Sequence, residues 1–130
     1  MKANSIFARK IISEANKIGL TSGQPKVLYF LHQFKEADQK TIANYLEIEQ
    51  ATVGSILLGM EHSGLIIRKQ KDGNRRSLYV SLTDKGIEAA ENMQVIFKNT
   101  EDIATVGLSD QEQEELKRLL TNICDSLKKI

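Results

Sequence analysis

The stretch QKTIANYLEIEQATVGSILLGMEHSGLIIRKQKDGNRRSLYVSLTDKG, residues 39–86, decides the fold of this chain. Apolar residues recur at helical spacing over residues 39–46 and again over 50–63, with a short break between the two segments. From residue 65 the pattern changes to two β-prone runs, 65–70 and 77–82, on either side of a basic segment. The stretch therefore predicts a helix, a tight turn, a second helix and a two-stranded wing.

The segments before this stretch are predicted to be helical. Apolar residues recur at helical spacing over residues 6–18. Thr21 followed by Gln24 has the pattern of a capping box for a second helix, which extends to about residue 34. Asp38 is the expected N-cap of the helix that opens the motif.

The segments after the wing are also predicted to be helical. Thr83 or Asp84 opens a long helix, and Ser109 with Glu112 has the capping-box pattern for a last helix through residue 127. The predicted order is α-α-α-α-β-β-α-α. The expected fold is therefore mainly α with a small β-wing, a winged helix-turn-helix.

Composition limits the class of protein. With 130 residues and 41% apolar content, residues 1–130 are expected to form a single domain with a real core. One cysteine and two histidines predict neither an internal disulfide nor an ordinary structural zinc site, and no cofactor is expected. No apolar run approaches the roughly 20 residues that span a bilayer, so a cytoplasmic protein without membrane contact is expected. No glycine-rich phosphate loop or other catalytic pattern is evident, and we expect no enzyme.

Charge is segregated along the chain, although the formal net charge is only +1. Residues 66–76 hold five basic residues against one acidic residue, whereas residues 101–130 hold seven acidic residues against four basic ones. A basic wing next to a helix-turn-helix is typical of proteins that bind nucleic acid.

The second helix of the motif carries the candidates for contact with bases. The apolar residues of the two helices predict a shared core: Ile42, Ala43, Leu46, Ile48, Val53, Ile56, Leu57 and Met60. The residues left on the exposed leading face are Gln50, Ala51, Thr52 and Ser55. Glutamine can pair with adenine, hydroxyls bond donors or acceptors, and methyl groups meet the thymine methyl in the major groove. The alternative is that these residues merely start a surface helix.

Six further residues are candidates for phosphate contact. Three start the first helix of the motif, where backbone N–H groups favour anions, and three lie on the wing. They are Gln39, Lys40 and Thr41 on the helix, and Arg68, Lys69 and Lys71 on the wing. The alternatives are capping alone for the first three, and a solvated strand edge that discourages aggregation for the others.

Residues 39–86 resemble the winged-helix core of the MarR family of multiple-antibiotic-resistance regulators. The resemblance lies in four segments: Leu20-Thr21 with Gln24, Ala51-Thr52-Val53 through Met60-Glu61, Gly64-Leu65-Ile66, and Asn74-Arg75-Arg76 followed by Leu82-Thr83-Asp84-Lys85-Gly86. Each motif is weak alone, and their combination is specific.

The resemblance implies a repressor that binds a pseudo-palindromic operator on double-stranded DNA as a homodimer. Residues 20–86 would form the DNA-binding lobe, and residues 1–19 and 87–130 the dimerisation helices. It also implies that Arg76 enters the minor groove, while Arg75 holds phosphate. Asn74, two residues before Arg76, would orient that arginine through a neutral hydrogen bond.

The resemblance further implies a small-molecule effector bound between the DNA-binding lobe and the dimerisation helices. Phe7, Ile11, Tyr29 and His32 could reach such a pocket, but an apolar stripe is more often simply core, and no ligand residue is assigned. Cys124, in the last helix, is expected to be an interface cysteine rather than a redox sensor, because its neighbours Asn122, Ile123 and Asp125 carry no positive charge that would activate a thiol.

Three residues depart from the family pattern. Gly54 and Ser55 stand where the family often has serine followed by arginine, and Asn74 stands where it commonly has aspartate. These departures keep an alternative open: a dimeric winged-helix protein that has lost operator binding and partners or antagonises another regulator. The retained basic wing argues against it.

Overall fold

The computed structural model describes the backbone of residues 1–71 and 74–129, and the side chains in those ranges except at 71 and 74–77. Within this part of the chain there are six helices and three strands. They are α1 (Lys2–Lys17), α2 (Gln24–Phe34), β1 (Glu36–Asp38), α3 (Gln39–Leu46), α4 (Gln50–His62), β2 (Ile66–Lys71), β3 (Asn74–Leu82), α5 (Asp84–Ala104) and α6 (Asp110–Lys128). The mainly helical fold with a β-wing is confirmed.

The short strand β1 corrects the predicted order. It pairs antiparallel with β3, where Ala37 lies opposite Val80, and the sheet has the order β1-β3-β2. Three residues are too few to show the alternation of a strand, so this element depends on the edge that β3 offers. The order is α-α-β-α-α-β-β-α-α.

The helix starts confirm two of the three predicted caps. The Asp38 carboxylate accepts a hydrogen bond from the backbone N–H of Thr41 at 2.8 Å, and Ser109 and Glu112 form a complete capping box. The predicted box at Thr21 forms only in part: the Thr21 N–H donates to the side chain of Gln24 at 3.2 Å, while Gly23 is the N-cap of α2.

The chain divides into two compact units, Met1–Phe97 and Lys98–Ile130. The core cluster lies in the first unit and includes the predicted residues of the helix-turn-helix. Five of them are fully buried, namely Ile42, Ala43, Val53, Leu57 and Met60, and three are partly buried against them, namely Leu46, Ile48 and Ile56. The predicted core of the motif is therefore confirmed.

The second unit contains α6, none of whose described residues is buried. Its predicted apolar stripe is 40–64% exposed: Leu116, Leu119, Leu120, Ile123 and Leu127. These side chains therefore leave a large apolar surface uncovered by the chain itself. In the part of the chain that the structure describes, no helix combines the length and apolar character needed to cross a membrane.

Candidate nucleic-acid interface

The outward face of α4 is a strip of four residues. Ala51, Ser55, Leu58 and His62 follow one another at spacings of three and four, which place them on one side of the helix. All four are exposed, as are the flanking Gln50 and Thr52. The opposite side is formed by the buried residues of the core. All four side chains predicted to face the groove, Gln50, Ala51, Thr52 and Ser55, are thus accessible. The structure shows one further accessible side chain on this face, Leu58, which is 51% exposed.

Leu58 was missed by the sequence reasoning because a leucine in an amphipathic helix is expected to be buried. The signal that could have found it is spacing: Leu58 lies seven residues after Ala51 and three after Ser55, whereas its neighbour Leu57 continues the buried side.

The first turns of α4 are fixed to the start of α3. The Gln39 side-chain amide donates a hydrogen bond to the Gln50 carbonyl oxygen at 2.8 Å. A Cβ at Gly54 would lie 2.9 Å from that amide nitrogen, so Gly54 faces α3. The glycine therefore makes room for a contact between the two helices, and its missing side chain removes nothing from the outward strip.

The start of α3 presents backbone and side-chain donors beside this contact. Lys40 and Thr41 are exposed, and Asp38 caps the helix. Hydrogen bonds from the Thr41 side chain and backbone hold the pKa of the Asp38 carboxyl below its usual value. The carboxylate is therefore ionised at neutral pH and stabilises the helix start.

The wing places its two described basic side chains in different surroundings. In the β2–β3 register, Arg68 lies opposite the buried Val80, and Lys69 lies opposite Tyr79. Arg68 is only 20% exposed, and its Nε, which has no hydrogen-bond partner, lies 3.7 Å from the Glu61 carboxylate of α4. Lys69 is exposed. Arg68 thus links the wing to α4, while Lys69 is accessible to solvent.

The remaining wing candidates lie outside the described side chains. They are Lys71, Asn74, Arg75 and Arg76, and the turn residues Asp72 and Gly73 lie outside the described backbone. β2 has the predicted length but lies one residue later, ending at Lys71, whereas β3 is longer than predicted because it begins at Asn74. Arg75 and Arg76 are therefore strand residues rather than loop residues.

A cleft of about 360 Å³ lies where α3, α4 and the wing meet. Its lining combines several of the predicted phosphate and base contacts: Asp38, Gln39, Lys40, Gln50, Arg68, Leu78 and Val80. The fold therefore brings together candidates that are separated by up to about 30 residues in the sequence.

Comparisons with known proteins show to which family this winged helix-turn-helix chain belongs. The sequence model of the MarR family matches residues 20–78. The chain is also 32% identical over 104 residues to the organic hydroperoxide resistance transcriptional regulator of Bacillus subtilis (strain 168), a match covering 80% of this chain and 67% of that protein. This chain belongs to the MarR family. The family resemblance and the function expected from it, transcriptional regulation, are confirmed.

Two solved structures that are similar to this chain contain DNA. One is the Staphylococcus aureus MepR–DNA complex, with 28% identity, a TM-score of 0.87, and coverage of 95% of this chain and 91% of that chain. The other is a putative MarR family regulator from Listeria monocytogenes complexed with a 26mer DNA, with 20% identity, a TM-score of 0.90, and coverage of 95% and 83%. At 20% identity, the similarity to the Listeria regulator shows only that the two proteins share a fold.

In this MarR-family chain the C-terminal end of α4 is joined to the start of α5, an arrangement we call the α4–α5 junction. Thr83 Oγ1 donates to the Gly64 carbonyl at 2.6 Å, and Lys85 Nζ donates to the Ser63 carbonyl at 2.7 Å. The Gly86 N–H in turn donates to Thr83 Oγ1 at 3.0 Å. The two carbonyls that directly follow α4 thereby obtain partners, and α4 is held at both ends.

The predicted effector residues are only partly brought together. His32 lines a cleft of about 280 Å³ with residues of α2, β3 and α5, and its Nδ1 lies 3.1 Å from Nε2 of Gln94. Tyr29 instead packs edge-on against Phe97, at 5.8 Å between ring centroids, and Ile11 belongs to the buried core. Phe7 packs against that core.

The last sequence candidate to be placed is Cys124. Cys124 is an exposed free thiol on α6 in the single chain. Among the described residues, no group of three or more histidine, cysteine, aspartate or glutamate side chains stands close enough to hold a metal ion.

Proposed function

We propose that this MarR-family regulator is a sequence-specific repressor that binds double-stranded DNA as a homodimer on a pseudo-palindromic operator. The observation that carries the proposal is the exposed outward strip of α4 next to a hairpin with basic residues. A helix of this kind fits the major groove, and a basic hairpin beside it reaches the neighbouring backbone or minor groove. The protein would act in the cytoplasm and needs no catalytic activity.

The base contacts in this proposal come from α4 and the wing. Gln50, Ala51, Thr52 and Ser55 would contact base edges in the major groove. On the wing, Arg76 would enter the minor groove, Arg75 would hold phosphate, and Asn74 would orient Arg76 through a neutral hydrogen bond. The DNA complexes of MepR and of the Listeria regulator support this use of the fold.

The proposed phosphate contacts are not equivalent. Lys40 and Lys69 are exposed, so they can reach phosphate directly. Thr41 is also exposed, but its side chain and backbone N–H already bond the Asp38 carboxylate. Gln39 and Arg68 would contribute less, because the Gln39 amide is bonded to Gln50 and Arg68 is largely buried beside Glu61. Lys71 completes the set from the wing.

The homodimer would be built from residues 1–19 and 87–130, with residues 20–86 as the DNA-binding lobe. The support is the apolar stripe of α6, whose exposure exceeds what isolated surface leucines produce. A second copy of the chain would cover it, and a two-fold dimer matches a palindromic site. Cys124 would then lie at or beside the interface.

We also propose that a small ligand releases the protein from DNA. The cleft that contains His32 supports this, because it lies between α2 of the DNA-binding lobe and the start of α5. A related fold, the organohalide-sensing regulator RdhR-CbdbA1625, has been solved with 2,4-dichlorophenol bound.

The alternative of a partner protein that has lost operator binding gains no support from the structure. Its arguments were the departures at Gly54, Ser55 and Asn74, and of these Gly54 faces α3 rather than the outward strip, whereas Ser55 lies on the strip. The glycine is therefore compatible with a working recognition helix.

Selection from randomised duplex DNA, with the salt dependence of binding recorded for enriched sites, tests the proposed function. We expect an inverted repeat whose half-sites lie about one helical turn apart, with affinity that falls as salt rises. Weak, salt-sensitive binding without an enriched motif would instead favour the partner protein.

A further inference from the structure

The recognition helix α4 contains no lysine or arginine. Its only formally charged residue is Glu61, which lies 3.7 Å from Arg68 of β2. The commonest specific contact in the major groove, a basic side chain on guanine, is therefore not available from α4. What its outward strip offers is two apolar side chains, Ala51 and Leu58, one hydroxyl and one imidazole.

The hydroxyl of Ser55 is already engaged. It donates to the Ala51 carbonyl at 3.3 Å, one turn back along the helix. Turned toward its own helix in this way, the serine leaves its methylene between Ala51 and Leu58 on the outward face. The strip is thus more apolar than its sequence indicates.

We propose that Leu58, together with Ala51, reads thymine methyl groups in the major groove, so that each half-site requires thymine at the position Leu58 contacts. This inference rests on the proposed function, since it names how α4 selects DNA. The thymine C5-methyl is the one apolar group that a base pair presents in the major groove. Leu58 is 51% exposed, so it has apolar surface left to bury against that methyl.

The position of Leu58 fits this role. It lies seven residues after Ala51, which corresponds to about 10.5 Å along the helix axis, and the major groove is about 12 Å wide. Single exposed leucines are ordinary on protein surfaces. Leu58 differs from them because two residues of the same strip, Ala51 and Ser55, are proposed base contacts.

The test uses a duplex enriched by the wild-type protein in the selection described above. Each thymine of a half-site is replaced in turn by deoxyuridine, which removes only the methyl group. Dissociation constants are measured for the wild type and for Leu58→Ala. The matched control is Phe34→Ala, a truncation of a similarly exposed apolar residue (46%) at the end of α2, outside the proposed DNA contacts and the proposed dimer interface.

We expect one thymine whose replacement weakens wild-type binding about fourfold, the equivalent of one buried methyl group. The same replacement should change binding of Leu58→Ala less than twofold, and Phe34→Ala should behave as the wild type. Circular dichroism melts verify that both variants fold.

Equal losses in the wild type and in Leu58→Ala at every thymine would overturn the inference while leaving DNA binding intact. Failure of the wild type to enrich any duplex would overturn the proposed function itself, and the inference with it. The two failures are therefore distinct.

Discussion

At the scale of single residues, glycines show how closely the elements approach one another. A Cβ at Gly86 would lie 2.0 Å from the Leu65 carbonyl oxygen, a backbone atom that cannot move away by itself. A Cβ at Gly59 would meet only the side chain of Gln24, at 3.6 Å. Position 86 at the start of α5 thus requires glycine, whereas position 59 in α4 tolerates a larger residue.

Gly86→Ala should therefore lower the free energy of unfolding by about 1–3 kcal/mol, the usual cost of an overpacked site. Gly59→Ala, the matched control, should be neutral or stabilising by up to about 1 kcal/mol, because alanine favours the helix. Urea denaturation of both variants measures the difference. Equal stabilities would contradict the close approach at the α4–α5 junction.

Arg76 is the single residue on which wing recognition is proposed to depend. Arg76→Ala should weaken operator binding and reduce the preference for A·T-rich wing sites, with the melting temperature nearly unchanged. Lys26→Ala, which removes an exposed positive charge from α2, is the control for net charge. Binding titrations on operators with A·T-rich and G·C-rich flanks measure both effects, and undiminished affinity would refute the wing assignment.

At the scale of the elements, caps and cross-contacts hold the helix-turn-helix in shape. α3 has only eight residues and would not be stable alone, so its start depends on the Asp38 cap and on packing. α4 is held at its start by Gln39 and at its end by Thr83 and Lys85. The helix proposed to enter the groove is therefore fixed to both neighbours.

The Asp38 cap predicts a pH-dependent stability. Because hydrogen bonds to Thr41 lower the pKa of this carboxyl, its stabilising effect is complete above its unfolded-state value of about 3.9. It is lost as the pH falls through the lower folded-state value. Asp38→Ala should cost about 1 kcal/mol at pH 7, and this deficit should shrink in acid.

The control for this cap is Asp38→Asn, which caps a helix without titrating. Its advantage over Asp38→Ala should stay constant as the pH falls. Urea denaturation from pH 7 to pH 3 makes the comparison. A deficit of Asp38→Ala that does not change with pH would show that the ionised carboxylate contributes nothing.

At the scale of the whole molecule, the chain has two compact units that differ in how much of their apolar surface they bury. The first, Met1–Phe97, buries a continuous core, whereas α6 in the second leaves five large apolar side chains exposed. An exposed apolar stripe of this length is expected to be covered in the working protein. The proposed homodimer covers it with a second copy.

Leu120→Glu should therefore convert the dimer to a monomer, because the variant would bury charge in the interface. Operator affinity should fall more than tenfold, since a monomer holds one half-site. Glu114→Gln, on the opposite face of α6, should change neither property. Light scattering and binding titrations measure both, and an unchanged mass for Leu120→Glu would contradict the proposed interface.

The six helices, the hairpin, two helix caps and the core of the motif could all be predicted from the order of the residues. Periodicity and capping act between residues a few positions apart, so the printed order of residues contains them. The packing of the chain establishes that β1 joins the sheet and that Gly54 faces α3. It also places Arg68 beside Glu61. These features depend on contacts between segments distant in sequence, and such contacts exist only once the core has packed the helices against the sheet.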